Sequence, residues 1–160
     1  MDKNQSFFNL DPDRVLSAIE DCGYLTTGEF YQLNSYENRV FDIVLEEGSH
    51  QLKNNHIIPK FYRPNRWSKE ALQEEHNFLF ELVENDVPVV APLKLEGNRS
   101  IKDCDGIYLG LSPKTLGRMP QEFIGDELTT VGRLLARLHN VGSQKLFQHR
   151  TTMGDDTHIG

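Results

Sequence analysis

The run His56-Ile57-Ile58-Pro59-Lys60-Phe61-Tyr62-Arg63-Pro64-Asn65-Arg66-Trp67 constrains the chain more than any other stretch. Its first half is apolar and β-favouring, carries one Lys, and is cut off by a Pro-containing turn. The period changes immediately afterwards. From Ser68 to about Asn85 the residues Ala71, Leu72, Phe78, Leu79, Leu82 and Val83 recur at helical spacing, with Ser68 placed to cap the free N–H groups. Glu75 lies inside that stripe and Glu74 on its flank. A carboxylate on the packed side of a helix needs a cation or several donors, because unpaired burial costs several kcal/mol. Lys60 is the candidate partner, and an ordinary solvated Glu on the helix edge is the alternative.

Upstream, Phe30, Leu33, Val40, Ile43, Val44, Leu45, Ile57, Ile58, Phe61 and Tyr62 fall in short apolar or alternating runs broken by polar residues. This predicts three antiparallel strands between Gly28 and Arg63. The first turn is Asn34 to Asn38, where Ser35 and Asn38 are ordinary hairpin residues; the second lies around Glu47-Gly48-Ser49. Pro59 removes a ladder donor from what would be a central strand, implying a bulge or a weakened sheet. Nearer the start, Asp11-Pro12-Asp13 opens a helix to about Cys22, with Gly23 at its end. Val87 to Leu93 reads as a Pro-bounded strand, Gly97-Asn98-Arg99 as a turn, and Gly106 to Leu111 as a fifth strand. Ser112 to Gly117 is a connector, and Asp126 to about Asn140 a second strong helix with Leu128, Val131, Leu134, Leu135 and Leu138 on one face.

Composition excludes several classes. A chain of 160 residues, 38% hydrophobic and 26% charged, can bury a core. A net charge of −7 and a pI near 5.3, with basic residues scattered apart from Arg63 and Arg66, argue against nucleic-acid or anionic-membrane partners. Cys22 and Cys104 support neither a disulfide framework nor a Cys-based zinc site, and a reducing, cytoplasmic compartment is the natural reading. The start has no signal core, and no run of eighteen apolar residues occurs. The six His residues form no His-Glu-x-x-His pattern, and His76 and His139 read as packed or capping residues. Gly-x-Ser-x-Gly and Gly-x-Gly-x-x-Gly are absent.

The order of elements, together with Leu33-Asn34-Ser35-Tyr36-Glu37-Asn38-Arg39-Val40, Lys60 to Pro64, Arg66-Trp67, Glu74-Glu75-His76, Val87-Pro88-Val89, Ala91-Pro92 and Gly132-Arg133, resembles the N-terminal part of the bacterial stress-response serine/threonine kinases. These are relatives of choline kinase and the aminoglycoside phosphotransferases. The resemblance implies an α+β fold: a kinase-like small lobe, with a five-stranded antiparallel sheet and an inserted helix, flanked by an N-terminal helix and the first helix of the large lobe. Residues 1–111 would be that lobe, 112–117 the hinge, and 118–160 the start of an incomplete large lobe. It further implies ATP as ligand with Mg²⁺, and protein Ser/Thr as acceptor in a stress response. Lys60 would contact the α and β phosphates with Glu75 holding its ammonium, Ser35 and Asn38 would supply donors in a loop that lacks glycines, and Ser112 and Pro113 would open the hinge that meets the adenine edge.

The departures bear on activity. The acceptor-positioning Asp and the Mg²⁺ ligands of this class belong to the large lobe, and none is found in these residues. Gly154-Asp155-Asp156-Thr157-His158 superficially resembles an Asp-x-His catalytic loop, but it follows the Leu128–Leu138 helix too closely and has no metal-binding Asp downstream. No catalytic residue is therefore assigned, and the chain alone is expected to be inactive. The alternative is a catalytically inactive remnant acting as a nucleotide-binding or protein-interaction module. An exposed apolar face on the last helix makes dimerisation an expectation for either.

Overall fold

The computed structural model describes residues 7–117 and 122–151. Asp11 caps the first helix, α1 (Pro12–Glu20), its side chain accepting from the Arg14 N–H at 2.8 Å, and Pro12 sits where its missing N–H costs nothing. The helix stops two residues before Cys22. Gly23, at φ +87°, makes the left-handed turn that redirects the chain into the sheet.

Five strands follow: β1 (Thr26–Leu33), β2 (Arg39–Leu45), β3 (His56–Phe61), β4 (Ile101–Cys104) and β5 (Ile107–Pro113). They form one antiparallel sheet in the order β1-β2-β3-β5-β4. The pairing register of β1 against β2 shifts between Thr26 and Phe30, around Gly28 at φ +89°.

The fourth strand is not where the sequence pattern put it. Val87 to Leu93 is irregular chain, tied to the sheet through the Leu93 N–H to the Leu111 carbonyl at 2.7 Å. Pro88 and Pro92 supply no donors, so a ladder cannot run through this stretch. Ile101–Cys104 takes the place, folded onto β5 by Asp105-Gly106, both with positive φ, the signature of a two-residue hairpin turn. β5 also runs on through Ser112 and Pro113, which pair with Ile58 and Ile57, so the connector begins at Lys114 and not at Ser112.

Pro59 has a mild effect. No β2 partners face Pro59 and Ile58, yet Val40 opposes Lys60 and Ile43 opposes Ile57 in one unbroken register, and the β5 ladder continues past Pro59. Lys60 therefore keeps its aim.

Alternation along the strands sorts the two faces. Phe41, Ile43, Leu45, Ile57, Phe61, Ile107, Leu109 and Leu111 bury against Val15, Ala18 and Ile19 of α1 in the main core. Each such fully buried side chain contributes roughly 1.5–3 kcal/mol. The opposite face carries Lys60, Tyr108 and Gly110, and there α2 (Lys69–Glu84) packs through Leu72 against Tyr62 and Ile101. Ser68 caps α2, accepting from the Ala71 N–H at 3.1 Å. His76 joins its buried face, while Val83, expected inside, is 48% exposed at the last turn. The final helix, α3 (Asp126–Gly142), reaches the fold only at its end, where Val141 and Leu138 meet Leu82 and Val87. Leu128 and Leu135 stay exposed. None of the described helices is long and apolar enough to cross a membrane.

Candidate functional site

Lys60 lies on the face of β3 that α2 covers, directly opposite Gly110 on β5. Its ammonium stands 4.7 Å from the centroid of the Tyr62 ring, a cation–π contact. Tyr62 is buried, and its hydroxyl is 2.8 Å from His76 Nε2. His76 Nδ1 is 2.8 Å from the Ser100 hydroxyl, which also accepts from Gln73 Nε2 at 3.0 Å. The row is closed: each polar atom has a partner, as burial requires. Gly110 makes the row possible, because a Cβ there would stand 2.9 Å from His76 Cε1.

Charge around this row is distributed unevenly. Burial pushes the Tyr62 phenol up, and Glu75 pushes it further. Burial holds His76 down at about 4, assisted by the charge of Lys60 and opposed by that of Glu75. Lys60 and Glu75 thus act in opposite directions on His76. They do not form the expected ion pair: among the described residues no carboxylate lies within 4 Å of Lys60, and Glu75 Oε2 accepts instead from Arg150 Nη1 at 2.6 Å. Glu74 turns the other way, accepting from the backbone N–H groups of Gln148 and His149 at 2.6 and 2.9 Å. The reason is local. Residues 145–150 run back along α2 and bring a guanidinium within reach of the carboxylate while the Lys60 ammonium is occupied by Tyr62.

Ser35 is exposed in the β1–β2 loop. Asn38 is half-buried, its Oδ1 accepting from the Arg63 N–H at 3.2 Å, and Glu37 pairs with Arg66 at 2.8 Å. The glycine-free loop is thereby tied to the turn after β3, with the Asn38 amide N–H₂ making no hydrogen bond among the described residues. Pro113 lies at the end of β5 beside Ser112, remote in the strand from the Lys60 level but on the same sheet.

At that end sits a cluster the sequence reading passed over. Asp42, buried on β2, accepts from Lys114 Nζ at 2.6 Å and is 2.7 Å from His56 Nδ1. Burial raises its carboxyl, but the hydrogen bonds and charges of Lys114 and His56 outweigh burial and hold it below the usual range. Asn54 donates to the Lys114 carbonyl at 3.0 Å, so the start of the connector is fixed from both sides. A signal was present: Asp42 is the one charge in Val40-Phe41-Asp42-Ile43-Val44-Leu45. Arg150 was missed as well, and two adjacent carboxylates on one helix were the clue that more than one partner was needed.

Gly154 to His158 lie outside the described residues. Among the described residues no three His, Cys, Asp or Glu side chains gather to hold a metal ion.

The chain as a whole is similar to several known proteins. A family model described as a phosphotransferase enzyme family matches residues 30–157. Stress response kinase A of Escherichia coli (strain K12) is 36% identical over 149 residues, which is 93% of this chain and 43% of that protein. Serine/threonine protein kinase RdoA of Salmonella typhimurium is 35% identical over 149 residues, with the same shares of the two chains. An amicoumacin kinase solved with AMP-PNP and Ca²⁺ superposes with a TM-score of 0.72 at 19% identity, over 92% of this chain and 44% of that one, a likeness of fold. The chain spans less than half the length of the curated relatives it matches.

Proposed function

Since this chain belongs to the phosphotransferase enzyme family, we propose that it is the nucleotide-binding small lobe, hinge and opening of the large lobe of an ATP-dependent kinase whose acceptor is a protein Ser or Thr. The observation that carries the reading is Lys60, held on the α2 face of a central strand with its ammonium 4.7 Å from the Tyr62 ring. An ammonium so placed is suited to the α and β phosphates of a nucleotide, with Asn38 and the neighbouring loop N–H groups above them. Lys114 and the residues after it would meet the base. The Ser/Thr acceptor and the stress-response role rest on the names of the relatives. A cytoplasmic setting agrees with free Cys22 and Cys104 and with ATP as donor.

Phosphoryl transfer depends on positioning and electrostatic stabilisation on both sides of the phosphate. Bound Mg²⁺ would neutralise phosphate charge there. With much of that arrangement expected from a large lobe of which this chain carries only the opening, the 160 residues alone are expected to bind nucleotide weakly and to transfer no phosphate. The test is calorimetric titration with Mg·ATP beside a radiolabel autophosphorylation assay, on the wild-type chain and Lys60→Ala. Weak, Lys60-dependent binding without incorporation is the expected result. Binding indifferent to Lys60 would refute the nucleotide reading, and incorporation abolished by Asp156→Ala would refute the inactivity of the chain alone.

A further inference from the structure

The carboxylate of Glu75 is engaged on one side only. Arg150 Nη1 meets Oε2 at 2.6 Å, while Oε1 has no hydrogen-bond donor among the described residues. The guanidinium is pinned by a second contact, 4.1 Å from the centroid of the Trp67 ring. A planar cation that pairs with a carboxylate and stacks on an indole at once has little freedom left, a combination Lys cannot reproduce.

Arg150 is delivered there by a rail of contacts along one face of α2. Lys145 pairs with Glu81, Phe147 sets its ring edge-on to Phe78 at 5.5 Å between centroids, and Glu74 binds the Gln148 and His149 N–H groups. Positions 74, 78 and 81 share a helix face, so the segment runs antiparallel to α2 and ends with Arg150 at the level of Glu75.

We infer that Arg150 is a positioning residue of the nucleotide site. It grips Oε2 of Glu75 and leaves Oε1 available to Lys60, so that Arg150, Glu75 and Lys60 form a charge relay once nucleotide phosphates draw the Lys60 ammonium off Tyr62. This rests on the nucleotide-binding reading above. Two cations on one carboxylate leave a net positive charge facing the phosphates, and the fixed Arg150 removes the need for Glu75 to find its rotamer when ligand arrives. Arg150 touches neither nucleotide nor acceptor in this role; its effect passes through Glu75 to Lys60.

The probe is Mg·AMP-PNP, titrated by calorimetry into the 160-residue chain and into Arg150→Ala, Arg150→Lys, Lys60→Ala and the Lys60→Ala/Arg150→Ala double variant, with circular dichroism to show that each is folded. Arg150→Ala should weaken binding roughly tenfold, the scale of coupling between contacting charges. Arg150→Lys should restore part of the loss. In the Lys60→Ala background the Arg150 substitution should add nothing, which separates a relay through Lys60 from general support of the helix. Trp67, the single tryptophan of the chain, gives a second readout: its emission should change in Arg150→Ala and hold steady when nucleotide is added to the wild type. Unchanged or tighter binding in Arg150→Ala, an equal loss in both backgrounds, or a Trp67 shift on nucleotide addition to the wild type would each overturn the inference while leaving the nucleotide reading intact. A wild-type chain that binds no nucleotide overturns that reading, and the inference with it.

Discussion

Acidification from pH 7 to pH 5 should destabilise the folded chain through His76. The imidazole is 4% exposed, held between the Tyr62 hydroxyl and the Ser100 hydroxyl; burial and the charge of Lys60 oppose its protonation, and they outweigh the charge of Glu75 and the hydrogen bond with Ser100, which favour it. Its folded value of about 4 lies below the ordinary 6.5, so between these two values the unfolded chain binds a proton that the folded chain refuses. Stability from this group is complete above pH 6.5 and drains away as pH falls toward 4. The difference in proton uptake amounts to about 2 kcal/mol between pH 7 and pH 5. The buried carboxyl of Asp42 and the helix carboxyls of Glu70 and Glu74 are lowered from ordinary values of 3.8 and 4.5, so the stability they carry is lost below that window. Urea unfolding followed by far-ultraviolet circular dichroism at half-unit pH steps measures the effect, with His76→Gln as the non-titrating control. The wild type should lose stability across the window while His76→Gln stays flat; parallel curves for the two would show that His76 is not the responsible group.

Three further outcomes test other parts of the structure. Gly110→Ala should cost about 1–3 kcal/mol in urea unfolding, because its Cβ would stand 2.9 Å from His76 Cε1 and 3.4 Å from Tyr62 Cε2, leaving one of two buried rings to move; an unchanged midpoint would mean that the row is looser than the geometry shows. Asp42→Ala strands Lys114 and His56 without their acceptor and should cost about 1–3 kcal/mol, with no loss expected from Lys53→Ala on the exposed part of the same hairpin. The exposed Leu128 and Leu135 on α3 should drive self-association at high concentration, read by size exclusion with light scattering, and Leu128→Glu with Leu135→Glu should return the chain to monomer; a wild type that is already monomeric at all concentrations counts against this.

Much of this arrangement was legible in order along the chain. The N-caps Asp11 and Ser68 and the period of Leu72, Leu79 and Leu82 fixed two helices almost to the residue, since capping and amphipathic spacing are local properties. The strand with Lys60 and the helix with Glu75 were recoverable for the same reason, whereas the sheet face that the helix covers came from the fold. The fourth strand also has a local cause: Val87 to Leu93 is apolar, but its two prolines bar a ladder, and the Asp105-Gly106 turn marks the hairpin that forms in its place.

What only the tertiary structure decided is which charge meets which. Sequence spacing placed Glu75 toward the sheet and Lys60 on it, but the pairing of Glu75 with Arg150 spans 75 residues, and that of Asp42 with Lys114 spans 72. Such pairs depend on where a returning chain segment crosses a helix or a strand, which no local propensity encodes. A carboxylate inside an apolar pattern announces from sequence that it requires a partner, because burying it alone is too costly. Among several cations within reach of the same sheet face, the choice falls to backbone geometry: the segment along α2 carries Arg150 to Glu75, while Tyr62, two residues beyond Lys60 on the same face of the chain, already offers the ammonium its ring.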